Sequence, residues 1–439
     1  MQWLFMRRAM APRLAAAIAA SVSCSIGASV AQTPVEQATV AADRVALTID
    51  DAVTRALDLS PGLRASEEGV RAADGAWRQA GARPNPQLVL EAEDFAGTDS
   101  FSGVQSAQFS YSLGQQIERG GKRRARRAVA GAERDIAGLS AERANLDVVL
   151  TAQTAFIEAV AAGAAADLAG ARADSLEETR RAVARRVDAA KDPRGAGDSA
   201  AAAAAEARSD LARAERESAI AREQLAILTG LDAAQLMLVS PWFAAPPASI
   251  AGAASLDASP DLAILKSAEA RADAAVALER ATAKQDPTIA LGVRNLRETR
   301  DTAAILSVSM PLALFNRNKG AIARAEAERR QAAFQREAGA LALSRAVVAA
   351  RGVLDAAVVE AATLRKDVIP RAERALEAAR AGYQRGAFTY LEVFTAQTAL
   401  FGFRAKEVDA LRRAHLAKAE FDRLTARLVA PTVKEYPNE

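Results

Sequence analysis

The chain has very few residues that bind metals or form disulfides. Its 439 residues include one cysteine, one histidine and five methionines. Only Met237 and Met310 follow the N-terminal leader, and the histidine, His415, has no partner at the spacing of a metal site. We therefore expect no bound metal and no cofactor, and we expect His415 to be an ordinary helix residue.

Motifs that carry catalysis are also missing. The sequence has no nucleophile elbow, no phosphate-binding loop and no histidine-centred constellation, which argues against an enzyme. Aromatic residues make up only 5% of the chain, whereas about a quarter is alanine. This composition favours long helices over an aromatic-rich globular core.

Long uncharged apolar runs are absent after the leader. Residues 146–171 come closest, but they contain Asp147, Glu158 and Asp167. A helix that crosses a bilayer needs about 18 or more consecutive residues with few charges. We therefore expect no membrane-spanning helix.

The first 31 residues have the pattern of a secretory signal peptide. Arg7, Arg8 and Arg13 form a basic leader, an apolar stretch covers residues 14–26, and small residues end at Ala31. We predict cleavage after Ala31. Acylation of Cys24 is the alternative, although residues 21–23 lack the branched apolar residue expected upstream of a lipoprotein cysteine.

The charge of the exported chain is balanced. Removing three arginines from 57 basic residues leaves 54, which equals the 54 acidic residues. A near-neutral exported protein is not expected to bind nucleic acid.

The chain repeats one unit. Residues 82–90 resemble residues 283–291, and in both segments a helical pattern gives way to a proline and then to alternation. This is the pattern of a duplicated junction between helix and strand. We predict a signal peptide at 1–31, a first repeat at 32–240, a connector at 241–260, a second repeat at 261–430 and a flexible tail at 431–439.

Each repeat contains two runs in which apolar and polar residues alternate. We predict strands at about 87–95 and 105–117 in the first repeat, and at about 288–296 and 303–314 in the second. Each run has roughly the length that a tilted strand needs to cross a bilayer. Four strands cannot close a barrel and an open edge cannot lie in lipid, so we expect a barrel shared between several chains.

A long helical hairpin follows each strand pair, at about 119–230 and about 316–428. Phe334, Leu341 and Val348 recur every seven residues, which indicates coiled-coil-like packing. Pro370 is expected to kink its helix.

The first hairpin is expected to reverse at residues 191–197. Asp198 or Ser199 is then the predicted N-cap of the returning helix. The second hairpin reverses around residues 383–386, so the two tips should lie side by side, far from the strands.

The second reversal resembles a known motif. Residues 381–394 read Ala-Gly-Tyr-Gln-Arg-Gly-Ala-Phe-Thr-Tyr-Leu-Glu-Val-Phe and resemble the hairpin tip of TolC-like outer-membrane efflux proteins. Residues 90–95 and 116–123 resemble the heavy-metal branch, the cobalt-zinc-cadmium or nickel resistance subunits. The resemblance implies a mainly α protein with a membrane β-barrel: four transmembrane strands per protomer in a twelve-stranded trimeric barrel, and a long periplasmic α-helical coiled-coil tunnel.

The resemblance also implies a place and partners. It suggests a homotrimer in the outer membrane of a Gram-negative bacterium, in contact with outer-membrane lipid and extending into the periplasm. A periplasmic adaptor and an inner-membrane pump of the resistance-nodulation-division type would complete the system, with heavy-metal cations conducted passively. The alternatives are a duct for drugs or other small molecules, and a non-channel periplasmic coiled-coil adaptor or spacer, which would leave the strands unexplained.

The same resemblance marks candidate residues at the tips. Glu392 matches an acidic position at the periplasmic entrance, where three copies would form a ring that favours cations, while the second acidic position is Thr395 here. Glu392 as a merely solvated helix residue is the alternative. Candidates for gating or adaptor contact are Tyr383, Gly386, Phe388, Pro193 and Gly195. A packing role for Tyr383 remains open, and the first tip has no glycine where the second has Gly386.

A basic segment at residues 121–127 lies where strand gives way to helix. It is expected near the periplasmic leaflet, where it would meet lipid head groups. A solvated first helical turn is the alternative.

Overall fold

The structure is a computed structural model that describes residues 45–250 and 255–428. The predicted signal peptide, Cys24 and the tail from residue 431 lie outside these residues.

The elements follow one order twice. The first half contains β1 (Val45–Leu47), α1 (Ile49–Leu59), α2 (Pro61–Ala80), β2 (Gln87–Glu93), β3 (Gln108–Gln116), α3 (Lys122–Asp188), α4 (Arg194–Thr229) and β4 (Leu236–Leu238). The second contains α5 (Pro260–Thr282), β5 (Thr288–Leu296), β6 (Asp301–Ser309), α6 (Lys319–Thr363), α7 (Ile369–Gln384) and α8 (Tyr390–Leu424). In each half a helix leads into a strand pair, and the strand pair leads into a long helical hairpin.

The four longer strands form one antiparallel sheet in the order β2-β3-β5-β6. Its register places four leucines in one row across the sheet, Leu88 beside Leu113, Leu113 beside Leu291 and Leu291 beside Leu306. Their exposed fractions are 68, 56, 66 and 67%. Side chains on a strand alternate between faces, so one face of this sheet is apolar and uncovered.

The opposite face of the sheet is polar. Arg294 on β5 donates from Nε to Ser110 Oγ at 3.0 Å and lies 3.3 Å from a carboxylate oxygen of Glu93. Arg294 and Glu93 thus form an ion pair on this face.

Both edges of the sheet lack a partner strand among the described residues, because β2 and β6 pair on one side only. β6 ends at Ser309, before the expected end at about residue 314. Pro311 explains the difference, since proline has no N–H to donate to a ladder. β2 ends two residues before its expected end, whereas β3 begins three residues after its expected start and ends one residue before its expected end.

The helix α3 contains 67 residues, which corresponds to about 100 Å at the α-helical rise. One 18-residue stretch of α3 is apolar enough to cross a membrane by length and composition alone, which the sequence reasoning did not expect. A helix packed in a bundle passes the same test, and α3 packs against α4 and α5. We therefore interpret α3 as a bundle helix.

The apolar residues of α6 divide into two stripes. Leu343, Val347 and Leu354 are buried in a cluster that includes Phe421 of α8. Phe334, Leu341 and Val348, the residues of the heptad pattern, are exposed. One stripe thus builds the core of this chain, and the other has no cover within it.

The long helix of the second repeat changes its winding before Pro370. A π-helical turn spans Leu364–Val368, and α7 then begins at Ile369 with Pro370 in its first turn. Proline lacks the N–H for an intrahelical bond and crowds the preceding turn. A wider π turn accommodates both effects, so the predicted irregularity is a π turn that ends just before the proline.

A small aromatic cluster joins the connector to α8. The ring of His415 lies 4.7 Å from the ring of Trp242 and 5.5 Å from that of Phe243, and its Nε2 lies 3.1 Å from the carbonyl oxygen of Ala245. Burial lowers the pKa of His415. These contacts describe a packing histidine.

Candidate functional site

The second hairpin reverses through a glycine in the left-handed region. Gly386 has φ of 78° and donates its N–H to Tyr383 O at 3.0 Å, while Ala387 donates to Gly382 O at 2.9 Å. These two bonds define a Schellman motif, in which glycine is favoured because it carries no Cβ. Gly386 is therefore required by the backbone of the tip.

The first hairpin uses the same motif with alanine. Ala190 has φ of 53° and donates to Val187 O at 2.9 Å, while Lys191 donates to Arg186 O at 2.8 Å. The first tip has no glycine where the second has Gly386, and Ala190 takes the equivalent backbone position. An L-residue there carries about 1 kcal/mol of backbone strain.

The returning helix of the first hairpin begins earlier than predicted. α4 starts at Arg194, with Pro193 as the N-cap residue. Gly195 therefore lies in the first turn of α4, and the prediction that Asp198 or Ser199 caps this helix was wrong. The fixed φ of Pro193 suits the chain just before a helix, and this outweighed the preference of Asp and Ser for caps.

Three side chains link the two tips. Arg186 at the end of α3 donates from Nε and Nη2 to Asp192 at 3.0 and 3.1 Å. It also donates from Nη1 to Tyr383 O at 3.2 Å. The hydroxyl of Tyr383 donates to Asp192 Oδ2. We call Arg186, Asp192 and Tyr383 the tip link, because it ties the first hairpin to the second.

The tip link is electrostatically well matched. Hydrogen bonds from Arg186 lower the pKa of Asp192 against the effect of burial, and the bond from Tyr383 adds to this. Burial and the Asp192 carboxylate raise the pKa of Tyr383. The arginine also lies over the tyrosine ring, with 4.7 Å between Cζ and the ring centroid. At neutral pH the carboxylate is therefore ionised and the phenol is a neutral donor.

Sequence reasoning identified Tyr383 but missed Arg186 and Asp192. The sequence offered one indication of these two residues: they carry opposite charges and lie on either side of the turn of the first hairpin. Only the structure shows that both meet Tyr383, because about 190 residues separate the two tips along the chain.

Phe388 packs on the backbone of its own turn. A Cβ added to Gly382 would collide with the ring of Phe388. Phe388 donates its N–H to Gly382 O at 3.3 Å, and its side chain is 42% exposed. Phe388 thus closes the second tip while part of its ring remains open to contacts.

Glu392 caps its own helix. Its Oε2 accepts from the backbone N–H of Thr389 at 2.6 Å and from the Thr389 hydroxyl at 3.0 Å. This arrangement is a capping box at the start of α8. Thr395 donates its hydroxyl to Leu391 O at 2.7 Å. Both residues are exposed, and the capping role of Glu392 was not predicted.

A buried polar cluster lies between α3, α7 and α8, a few helical turns from the tips. Gln397 of α8 is 1% exposed and donates from Nε2 to Ser175 Oγ and Thr179 Oγ1, both at 2.9 Å. Arg380 of α7 donates to the same serine hydroxyl at 2.6 Å. The cluster joins α3, α7 and α8, and sequence patterns did not reveal it because the three helices meet only in the fold.

Acidic and histidine side chains do not converge on a metal site within residues 45–250 and 255–428: no group of three or more is close enough to hold an ion. The candidate site is thus a mechanical contact between two hairpin tips, flanked by an exposed carboxylate.

Comparison with known proteins points in one direction. The family model described as outer membrane efflux protein matches residues 52–231 and 253–427. The two matched segments correspond to the two halves of the fold.

Two characterised relatives are similar along most of the chain. The cobalt-zinc-cadmium resistance protein CzcC of Cupriavidus metallidurans is 29% identical over 391 residues, which cover 87% of this chain and 90% of the relative. The nickel-cobalt-cadmium resistance protein NccC of Alcaligenes xylosoxydans xylosoxydans is 30% identical over 319 residues, which cover 72% and 68%.

Solved structures show the same fold. The outer membrane protein VceC of Vibrio cholerae has a TM-score of 0.71 at 20% identity, covering 86% of this chain and 95% of that one. CusC, whose structures concern transmembrane channel formation, has a TM-score of 0.74 at 20% identity, covering 87% and 92%.

Proposed function

The chain belongs to the outer membrane efflux protein family, and from this membership we propose that it is the exit duct of a heavy-metal efflux system. As a family member it is an outer-membrane protein that extends into the periplasm. Its substrate, its oligomeric state and its partners are the proposed parts.

The observation that carries the proposal is the sheet β2-β3-β5-β6. One face presents a row of exposed leucines, the other is polar, and both edges are unpaired. An apolar outer face suits lipid and a polar inner face suits a water-filled lumen. Open edges cannot remain in lipid, because each unpaired backbone group costs several kcal/mol there. Three copies of this sheet would close a barrel of about twelve strands.

The exposed stripe on α6 supports the same assembly. Phe334, Leu341 and Val348 lie at heptad spacing on a helix whose other stripe is already buried. Heptad residues pack against a neighbouring helix. In the proposed trimer that helix belongs to the next protomer, so that the long helices form a continuous tunnel wall.

The proposed substrates are divalent heavy-metal cations. The relatives are named for resistance to cobalt, zinc, cadmium and nickel. The described residues offer no cluster that would trap such ions, and conduction requires binding weak enough to release them. A duct for drugs or other small molecules is the second candidate, because a channel without ligands does not select chemically by itself.

The proposed entrance is the region of the hairpin tips. There the tip link would hold the two hairpins of each protomer together in the closed state, and three copies of Glu392 would line the opening. A periplasmic adaptor and an inner-membrane pump of the resistance-nodulation-division type are the proposed partners, and the exposed tip residues Pro193, Gly195 and Phe388 are the proposed adaptor contacts.

The substrate is tested by deleting the gene in its own host. Cells with and without the gene are loaded with Zn²⁺, Co²⁺ or Cd²⁺, and retained metal is measured by mass spectrometry. We expect the deletion to increase retained metal and complementation to reverse it. Retention of a fluorescent drug in the same cells is the comparison: a change in drug alone would contradict the metal proposal and favour the second candidate.

A further inference from the structure

A basic cavity lies where the sheet meets the helices. It has a volume of about 730 Å³ and lies between the end of α2, the end of β3 and the start of α3. The residues that matter for its chemistry are Trp77, Arg83, Ile117, Arg123, Arg124 and Arg127.

Several neighbouring charges are already paired. Lys122 lies 2.7 Å from Asp286, and Arg126 binds Glu118. Glu118, the carboxylate that lines the cavity, and Asp286 are therefore each already bound to a basic side chain.

Four arginines are left without a carboxylate. Within the described part of the chain, Arg83, Arg123, Arg124 and Arg127 form no ion pair, and all four are exposed. Arginine presents a planar fork of donors that matches phosphate oxygens. The cavity thus concentrates unneutralised donors suited to a phosphate group.

Trp77 gives the cavity an apolar wall and orients one of these donors. The guanidinium of Arg127 lies 4.4 Å from the centre of the Trp77 ring. The guanidinium of Arg134 also lies near this ring, 5.6 Å from its centre, and its charge is paired with Asp74. Stacking on the ring fixes the guanidinium plane and leaves its N–H groups free to donate.

The backbone places the cavity at the end of the apolar face. Ile117 continues the ladder of β3, because its N–H donates to Pro287 O at 2.8 Å. Alternation puts Ile117 on the same face as Leu113 and Tyr111, and Ile117 is likewise exposed. The cavity therefore follows directly after the surface assigned to lipid, on the side of the helices.

We propose that this cavity binds the phosphate of an anionic phospholipid in the periplasmic leaflet. The acyl chains would lie over Ile117 and the leucine row, while the head group would meet the arginines beside Trp77. Tryptophan and basic residues are the side chains expected at this depth. The inference rests on the sheet lying in the membrane, as proposed above.

The test uses the purified full-length oligomer in detergent, with phosphatidylglycerol as the probe and phosphatidylcholine as the uncharged-head comparison. Bound lipid is counted by native mass spectrometry during titration. We expect the double variant Arg123→Gln/Arg124→Gln to weaken phosphatidylglycerol binding by about ten- to thirtyfold, given the contribution of each basic residue near an anionic surface. The single variant Arg83→Gln, outside any helix or strand, should weaken it by about fivefold.

The matched control is Arg143→Gln/Arg222→Gln. These arginines are exposed, lie on α3 and α4 and form no ion pair among the described residues. The control removes the same charge and should bind lipid like the wild type. Equal binding by all variants, or binding of phosphatidylcholine as tight as that of phosphatidylglycerol, would overturn the inference.

Two further measurements distinguish a lipid site from a site for small anions and from a failure of the proposed duct. Inorganic phosphate at millimolar concentration should not displace the lipid, and displacement would point to a small-anion site instead. Conductance of the same preparations reports on the duct itself. Unchanged conductance with unchanged lipid binding would overturn the lipid site and leave the proposed function standing.

Discussion

Removing the hydroxyl of Tyr383 should open the entrance. Tyr383→Phe deletes the donor to Asp192 and keeps the ring against Arg186. If opening of the entrance separates the two tips, the bond between Tyr383 and Asp192 exists only in the closed state. The variant then destabilises the closed state and leaves the open state unchanged. We therefore expect the variant to conduct more often and for longer than the wild type.

The expected size follows from the burial of the pair. Tyr383 is 5% exposed and the side chain of Asp192 is 12% exposed, so solvent weakens the bond little. A hydrogen bond to a charged group contributes about 1.5–3 kcal/mol. The ratio of open to closed states should therefore rise by about ten- to a hundredfold per protomer.

Single-channel recording in planar bilayers measures this ratio as open probability. Tyr390→Phe is the matched control, because it removes a hydroxyl at the same tip and no hydrogen bond from that hydroxyl exists among the described contacts. Asp192→Asn should raise the open probability further, since it also removes the charge that Arg186 binds. The double variant Tyr383→Phe/Asp192→Asn should have about the same open probability as Asp192→Asn alone, because both changes remove the same hydrogen bond.

One result would refute this reasoning. If Tyr383→Phe and Tyr390→Phe have the same open probability as the wild type, while hydrogen exchange shows a loosened tip in the first variant only, the link exists but does not hold the entrance closed. Tyr383 would then be a packing residue.

Three other changes test separate features. Ala190→Gly relieves strain at a φ of 53° and should stabilise the first tip by up to about 1 kcal/mol, seen as slower hydrogen exchange over residues 188–194. Glu392→Gln keeps the cap but removes the charge, so cation preference should fall; an unchanged reversal potential in a salt gradient would show that Glu392 does not set it. For His415 the folded pKa is lowered by burial, so the unfolded state binds more protons below about pH 6.5. Stability of the wild type should therefore drop as pH falls through that range, and His415→Phe should lose this dependence of Tm on pH.

The periodic features of the fold were predictable from sequence. Strand alternation and helical periodicity depend on side chains two to four residues apart, so they appear in any short window. The strands at 87–93 and 288–296 therefore lie where alternation indicates them. The end of β6 was missed because the apolar pattern continues past Pro311, while the backbone ladder cannot.

The turns were harder to predict, since they depend on backbone conformations that residue types suggest only weakly. Glycine at position 386 signals a left-handed residue, whereas alanine at position 190 does not. Both tips nevertheless form the same motif, because each lies at the C-terminus of a helix whose last carbonyl groups accept the two backbone hydrogen bonds. Glycine at position 195 suggested a turn, yet it lies in a helix that Pro193 starts.

Contacts between the repeats were beyond the sequence. Arg186, Asp192 and Tyr383 meet only because two hairpins of unequal sequence end at the same level. Gln397 reaches Ser175 and Thr179 in the same way. Such contacts depend on how far each long helix is displaced along its neighbour, and a pattern within a short stretch of sequence does not contain this information.

Subunit number in the intact channel tests the central claim most directly. Native mass spectrometry of the purified protein in detergent should give three times the mass of the processed chain, and the same sample should conduct ions in planar bilayers. A non-conducting monomer would contradict the account, because it would leave both edges of the sheet β2-β3-β5-β6 unpaired and the leucine row without lipid.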